Sequence, residues 1–252
     1  MTRRLLGSPA LLDRVSRYGE AHGTSLPTLK RVMSAGAPVP PTVLERMHTL
    51  LGPDAEVHTP YGATEALPVA SIGSREILGE TAAKTAHGAG TCVGRPMEGL
   101  DLRIIRIDDD AIAEWSDDLE LATGEIGEIT VTGAVVTREY HDNPDATALA
   151  KIAHGAATRH RMGDVGYLDE SGRLWFCGRK THRVVTATGT LFTVPCEAIF
   201  NQHPQVCRSA LVGVGEPGRH RPVLCVQLES RPAGGDNTKL KNELLQIAGT
   251  GP

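Results

Sequence analysis

Three short segments near the start, taken in order, constrain this chain most. The run Leu29-Lys30-Arg31-Val32-Met33 is followed by the small-residue turn Ser34-Ala35-Gly36-Ala37-Pro38, then by a stretch led by Pro40-Pro41 and running to about Leu51. The first reads as a strand and the last as a helix, whose first turn tolerates proline because the missing N–H would have no partner there. Past the breaker Gly52-Pro53-Asp54, Glu56-Val57-His58-Thr59 reads as a second strand leading into Tyr61-Gly62-Ala63-Thr64-Glu65. Strand, tight turn, helix and strand again is the repeating unit of a parallel sheet. Upstream, Leu11, Leu12, Val15 and Tyr18 recur at helical spacing between Pro9 and His22, and Gly23 closes that helix. Residues 1–70 are therefore expected to be the end of an α/β domain.

After about Ser71 the pattern changes. Short β-rich runs such as Leu102–Ile107 and Glu128–Thr132 alternate with Gly- and Asp-rich turns, with little helical periodicity, and predict a small barrel or sandwich over residues 71–178. Beyond Arg179 a β-rich stretch to Val194 is followed by a helix from Pro195 to His203, strands at Ser209–Val214 and Val223–Leu228, a polar link, and a helix from Thr238 to Ala248. Residues 179–252 thus form a third, α+β unit that stops at Gly251-Pro252. The fold class expected is α/β plus β-barrel plus α+β.

Twenty-six basic residues are interleaved with 30 acidic ones for a formal charge of -4, which leaves no electrostatic footprint for nucleic acid. Five cysteines without a C-x-x-C pair suggest neither a disulfide framework nor a zinc ribbon, and fit a reducing cytoplasm. The apolar stretch after Arg3-Arg4 is too short for a secretory core or a membrane span. Asp108-Asp109-Asp110 reads as a solvated turn between strands rather than a cation site, and is left unassigned.

Three segments carry candidate chemistry at strand ends, where open α/β sheets bind nucleotides. Ser34–Pro38 lets a flat ring or a phosphate approach the backbone, although by itself it reads sooner as an ordinary strand-to-helix turn. In Tyr61–Glu65, the ring of Tyr61 can stack on a base, the Thr64 hydroxyl can hold a phosphate and Glu65 can coordinate Mg²⁺; a buried tyrosine and a helix-capping threonine are the plainer alternative. The third segment is Met162-Gly163-Asp164-Val165-Gly166-Tyr167, followed after the hairpin turn Asp169–Gly172 by Phe176-Cys177-Gly178-Arg179-Lys180. There Asp164 can accept both hydroxyls of a ribose and Arg179 can reach the same sugar or a phosphate, or the two can form a structural ion pair.

Taken in this order, with Val93-Gly94-Arg95-Pro96, Gly124–Ile129 and Pro195-Cys196-Glu197 between and after them, the segments resemble the adenylate-forming superfamily of acyl-CoA synthetases, luciferases and peptide-synthetase adenylation domains. The resemblance runs from about Thr28 to Glu229. It implies that residues 1–70 end a large nucleotide-binding domain, that Ala35, Gly36, Ala37 and Tyr61 with Gly62 and Ala63 surround adenine, and that Thr64 contacts phosphate. It further implies that Glu65 holds Mg²⁺, that Asp164 and Arg179 bind ribose, and that Lys180 is the hinge of a mobile C-terminal domain.

Two departures qualify this. No Ser/Thr/Gly-rich phosphate loop precedes the small-residue loop, and no lysine in the family's C-terminal context follows, since Lys239 and Lys241 lie in a polar helix. The chain is accordingly expected to be an incomplete protein, inactive by itself. The run Lys180–Thr186 also lacks the acidic character usual after the hinge, which argues against ordinary CoA-dependent chemistry.

Within the superfamily, His58–Ala70 together with Cys177–Lys180 looks like the olefin-biosynthesis β-lactone synthetases. That resemblance implies ATP-dependent activation of a long-chain 2-alkyl-3-hydroxy acid, closure of its own hydroxyl on the activated carbonyl, and a possible complex with other enzymes of the olefin pathway. A fatty acyl-CoA synthetase or acyl-AMP ligase is the alternative within the class, and a non-catalytic nucleotide-binding remnant the alternative outside it.

Overall fold

The computed structural model describes residues 3–230 and 237–250. Three strands, β1 (Arg3–Gly7), β2 (Leu29–Ser34) and β3 (Glu56–Ala63), run parallel, with helices α1 (Pro9–His22) and α2 (Pro41–Leu50) as the connections. Ser8 caps α1 by accepting from the Leu11 amide, and Gly23 ends it in the left-handed conformation that glycine adopts without penalty. Leu12, Val32, Val43, Leu44, Met47 and Val57 bury the helix layer against this sheet. Strand β1 is not evident from the sequence, because Arg3-Arg4 breaks the apolar pattern of an edge strand whose pairing uses only its backbone.

The sheet does not stop at β3. It reverses at Thr64-Glu65 into the antiparallel β4 (Ala66–Gly73) and continues through β5 (Thr91–Pro96), β10 (Leu174–Arg179), β9 (Ala157–Leu168), β7 (Gly127–Thr132) and β6 (Asp101–Ile105), with β8 (Lys151–His154) paired to β9. One ten-stranded sheet thus spans position 70, and its order β1-β2-β3-β4-β5-β10-β9-β7-β6 joins the first strands to the later β-rich run. The apolar faces of β4, β6, β7, β9 and β10 share a core of Ala66, Val69, Leu102, Ile104, Ile129, Val131, Met162 and Leu174.

Helices interrupt the β-rich region more than its periodicity suggested. Alpha turns α3 (Ser74–Glu76) and α4 (Ala82–Ala86) flank a π turn at Ile77–Thr81, and α5 (Pro144–Ala150) is capped by the Asn143 side chain. These pieces are too short to display a 3.6-residue period.

After Arg179 come a 3₁₀ turn at Lys180–His182 and the two-residue strands β11 (Val184–Val185) and β12 (Thr190–Leu191), less strand than expected there. Helix α6 begins at Thr193 rather than Pro195 and ends at Phe200; the hairpin β13 (Val206–Val214) and β14 (Arg221–Leu228) and helix α7 (Thr238–Thr250) complete the unit. The middle of the expected polar link and the terminal Gly251-Pro252 fall outside the described residues. Among those residues, no helix is long and apolar enough to cross a membrane, and no group of three or more His, Cys, Asp or Glu side chains is placed to hold a metal.

The acidic turn has a structural task. Arg161, 3 % exposed, donates to the carbonyls of Asp108, Asp110 and Leu149 and pairs with the buried Glu128 at 2.7 Å. Removing one member of such a pair strands a charge out of water, whereas replacing both by apolar groups of similar size costs much less. Glu128→Ala is therefore expected to lose about 3–5 kcal/mol of stability. Glu128→Leu combined with Arg161→Met should recover part of that loss, as read from urea unfolding; a single variant as stable as the parent would contradict the account.

Candidate functional site

Strand β3 carries Tyr61, Gly62 and Ala63 to the turn at Thr64-Glu65, and the antiparallel return of β4 fixes that turn. Gly62 is needed there because a Cβ at this position would lie 2.5 Å from the Ala66 carbonyl oxygen. Opposite, register places Asp164 of β9 beside Arg179 of β10. Asp164 sits within its strand, and Gly163 next to it takes a φ of 68°.

Tyr61, Asp164 and Arg179 meet directly. The Tyr61 hydroxyl donates to Asp164 Oδ2 at 2.6 Å, and Arg179 Nη1 lies 3.0 Å from Asp164 Oδ1. Close as that ion pair is, Arg179 is not aligned to donate to this oxygen. Oδ1 is buried without a hydrogen bond, while Arg179 donates at 3.4 Å to the Met162 carbonyl and remains 54 % exposed. The structural ion pair therefore exists and still leaves a buried acceptor unfilled. Burial raises the Asp164 carboxyl, with the Tyr61 hydrogen bond and Arg179 opposing. Burial, then the adjacent Asp164, holds the Tyr61 proton on. The Tyr61 ring is half-buried, 6.0 Å from Phe176 between centroids.

Thr64 is exposed in a hairpin turn that no helix follows, so it is not a helix cap. Glu65 faces a cleft of about 300 Å³ between the hairpin and β9, also lined by Tyr140, His160, Gly163, Arg179 and Lys180. The Tyr140 hydroxyl donates to Glu65 Oε1 at 2.8 Å. Partial burial pushes the Glu65 carboxyl up, but the Tyr140 hydrogen bond, followed by its own backbone, His160 and Lys151, brings it below the ordinary value. Glu65 stays ionised and lines the cleft with its Oε1 held by Tyr140. A charged oxygen open to a cleft fits a hard divalent cation such as Mg²⁺.

Ala35, Gly36 and Ala37 follow β2, the neighbour of the strand bearing Tyr61, and Gly36 takes a φ of 95° with open space around it. Among the described residues, neither a hydrogen bond nor a ring contact joins this loop to Tyr61 or Asp164. Lys180 is half-buried: its Nζ donates to the Asp108 carbonyl at 2.6 Å and lies 3.3 Å from Glu128. Beside it Arg183 pairs with Asp109 at 2.5 Å.

Sequence reasoning missed Tyr140, Lys151, His160 and Arg161 in and around this cleft. No local pattern marks them; strand pairing across the sheet brings them together.

The matching family model, described as AMP-binding enzyme, covers residues 3–141, more than half of the chain. The chain belongs to the AMP-binding enzyme family. Its relatives include the olefin β-lactone synthetase of Xanthomonas campestris pv. campestris, 50% identical over 99% of this chain and 45% of that protein. The olefin β-lactone synthetase of Stenotrophomonas maltophilia is 54% identical over 89% of this chain and 41% of that protein. The chain thus spans less than half the length of these curated relatives. In fold it is similar to the amide bond synthetase McbA of Marinactinospora thermotolerans, with a TM-score of 0.73 and 24% identity over 98% of this chain and 46% of that one. The O-succinylbenzoate coenzyme A synthetase of Bacillus subtilis in complex with ATP and magnesium ion gives a TM-score of 0.70 and 18% identity over 97% of this chain and 44% of that one. These solved structures share the mixed α/β fold of this chain.

His160, at the rear of the cleft, supplies a pH test. Its Nδ1 bonds the Ala150 carbonyl at 3.1 Å, and burial, then Lys151, pushes the imidazole down from 6.5 to about 4. The folded state keeps this ring neutral, so below pH 6.5 the unfolded chain binds the extra proton, and stability falls until pH reaches about 4. The loss is on the order of 3 kcal/mol. His160→Gln should flatten this part of the stability curve in urea titrations at pH 7 and 4.5; an unchanged slope would assign the dependence to other groups.

Proposed function

We propose that this chain is part of an enzyme that activates a long-chain 2-alkyl-3-hydroxy acid with ATP and closes it to a β-lactone. The observation that carries the nucleotide part is the buried, unfilled Oδ1 of Asp164, held between Tyr61 and Arg179. A ribose hydroxyl donating to that oxygen supplies its missing partner, and the exposed Arg179 guanidinium approaches the same sugar. Ala35, Gly36, Ala37, Tyr61, Gly62 and Ala63 receive the adenine, Thr64 contacts phosphate, and Glu65 offers an oxygen to Mg²⁺. When bound, that ion supplies positive charge beside the phosphates.

In the first half-reaction a carboxylate oxygen attacks the α-phosphorus and pyrophosphate leaves. In the second, the acid's own 3-hydroxyl oxygen attacks the acyl carbonyl, the hydroxyl proton is lost, the acyl C–O bond to AMP breaks, and AMP departs. The 50% and 54% identities to proteins named olefin β-lactone synthetase support this choice over a fatty acyl-CoA synthetase or acyl-AMP ligase. Release of AMP from the hydroxy acid without added CoA is the expected result in the full-length protein, and strict dependence on CoA would favour the ligase alternative.

The division at 1–70, 71–178 and 179–252 belongs to the same reading, with Lys180 as the pivot of the last unit. So do a cytoplasmic setting, consistent with five free thiols among the described residues, and association with other olefin-pathway enzymes.

Asp164→Ala in the full-length protein is expected to weaken ATP binding or adenylation at least about tenfold with the fold intact, the size of one charge-assisted hydrogen bond. An unchanged KM for ATP with unchanged turnover would remove Asp164 from the site. A second outcome concerns the pivot. Lys180 and Arg183 are engaged by the 108–110 turn, so trypsin should cut there slowly, and Asp109→Ala should speed cleavage at Arg183 several-fold by releasing its partner. Equal rates in both proteins would mean that this ion pair does not restrain the segment.

A further inference from the structure

We infer that Tyr140 and Lys151 are positioning residues that fix Glu65 for a divalent cation arriving with a nucleoside triphosphate, an inference that rests on the reading of Glu65 above. Glu65 is gripped at both ends. Its backbone carbonyl accepts from the Thr137 amide at 2.8 Å, and its Oε1 accepts from the Tyr140 hydroxyl at 2.8 Å. Lys151 joins these two contacts. Its Nζ donates to the Thr137 carbonyl at 2.7 Å and to Thr137 Oγ1 at 3.1 Å, and it stands 5.8 Å from the centre of the Tyr140 ring. Helix α5 anchors the far side, where Thr147 Oγ1 accepts from the Tyr140 amide at 3.0 Å and donates to the Asn143 carbonyl at 2.8 Å.

The charges make this ring of contacts more than a loop fastening. Lys151 is 8 % exposed and lies in the strand that directly follows α5, yet its ammonium is spent on Thr137 and on an aromatic face. No basic side chain comes within ion-pair distance of Glu65 among the described residues. A half-buried carboxylate that lines the cleft thus has one oxygen tied to a phenol and no basic side chain paired with it among the described residues. Hydrogen bonds behind a metal-binding carboxylate orient it, and their loss commonly costs on the order of tenfold or more in metal affinity.

The test is made in the full-length protein with Mn²⁺ as the probe, its binding in the presence of ATP followed by electron paramagnetic resonance, and thermal unfolding measured alongside. Tyr140→Phe keeps the ring and removes only the hydroxyl; it should raise the Mn²⁺ dissociation constant about tenfold while ATP binding without metal is unchanged. Lys151→Met should shift the constant in the same direction through a different contact. Glu65→Gln should raise it at least as much as Tyr140→Phe. If Glu65→Gln weakens Mn²⁺ and both other variants leave it unchanged, the positioning role is overturned while Glu65 keeps its assignment. If Glu65→Gln itself leaves Mn²⁺ binding unchanged, the reading of Glu65 fails and takes this inference with it. A fall in melting temperature without any change in Mn²⁺ affinity would reduce Tyr140 and Lys151 to structural supports.

Discussion

The buried guanidinium of Arg161 is the interaction on which the second half of the structure depends. One planar group answers three backbone carbonyls from two separate segments and a carboxylate from the adjacent strand β7. The 108–110 turn, the end of α5, and strands β7 and β9 are thereby set relative to one another. Buried ion pairs contribute little net stability compared with apolar packing, but the fork geometry of arginine accepts few arrangements, and so it selects among them. The cleft that holds Glu65 inherits its rear wall from this arrangement.

A second constraint is the long antiparallel ladder through β4, β5, β10 and β9. Tyr61 and Asp164 are over a hundred positions apart in the chain, yet the phenol and the carboxylate are in hydrogen-bond contact. That contact needs the sheet to continue past β3, so the candidate site residues of the first seventy positions cannot be arranged by the parallel strands alone. The parallel part supplies the loop at Ala35–Ala37, and the antiparallel part supplies the acceptor and the base of the cleft.

Much of this was legible in the sequence, for identifiable reasons. Helix α1 announces itself by its apolar spacing and its closing glycine, and the strand-turn-helix order of β2 and α2 by a small-residue loop and a proline pair. The Asp164 and Arg179 candidates stood out because each is a placed charge following a glycine where a strand was expected to end. Strand β1 was hidden by two arginines on an edge, and the short helices after Gly73 and Asn143 by having too few turns to show a period. Tyr140, Lys151 and His160 were invisible for another reason. Their significance lies in what they face across the sheet, and neither composition nor local spacing encodes that. The Asp108–Asp110 turn was read as solvated; its carbonyls in fact serve Arg161 and Lys180, a use of the backbone to which three adjacent carboxylates give no clue.

The position of Lys180 has a consequence for the charge of the buried cluster. With its ammonium beside Glu128, two cations share one carboxylate, and the cluster carries a surplus positive charge. Without Lys180, Glu128 and Arg161 would form a neutral pair, still bonded to each other. Occupancy by Lys180 is thus electrostatically optional, whereas occupancy by Arg161 is not. The lysine also borders the same cleft as Glu65, so the surplus charge lies beside the space where a polyanion would enter.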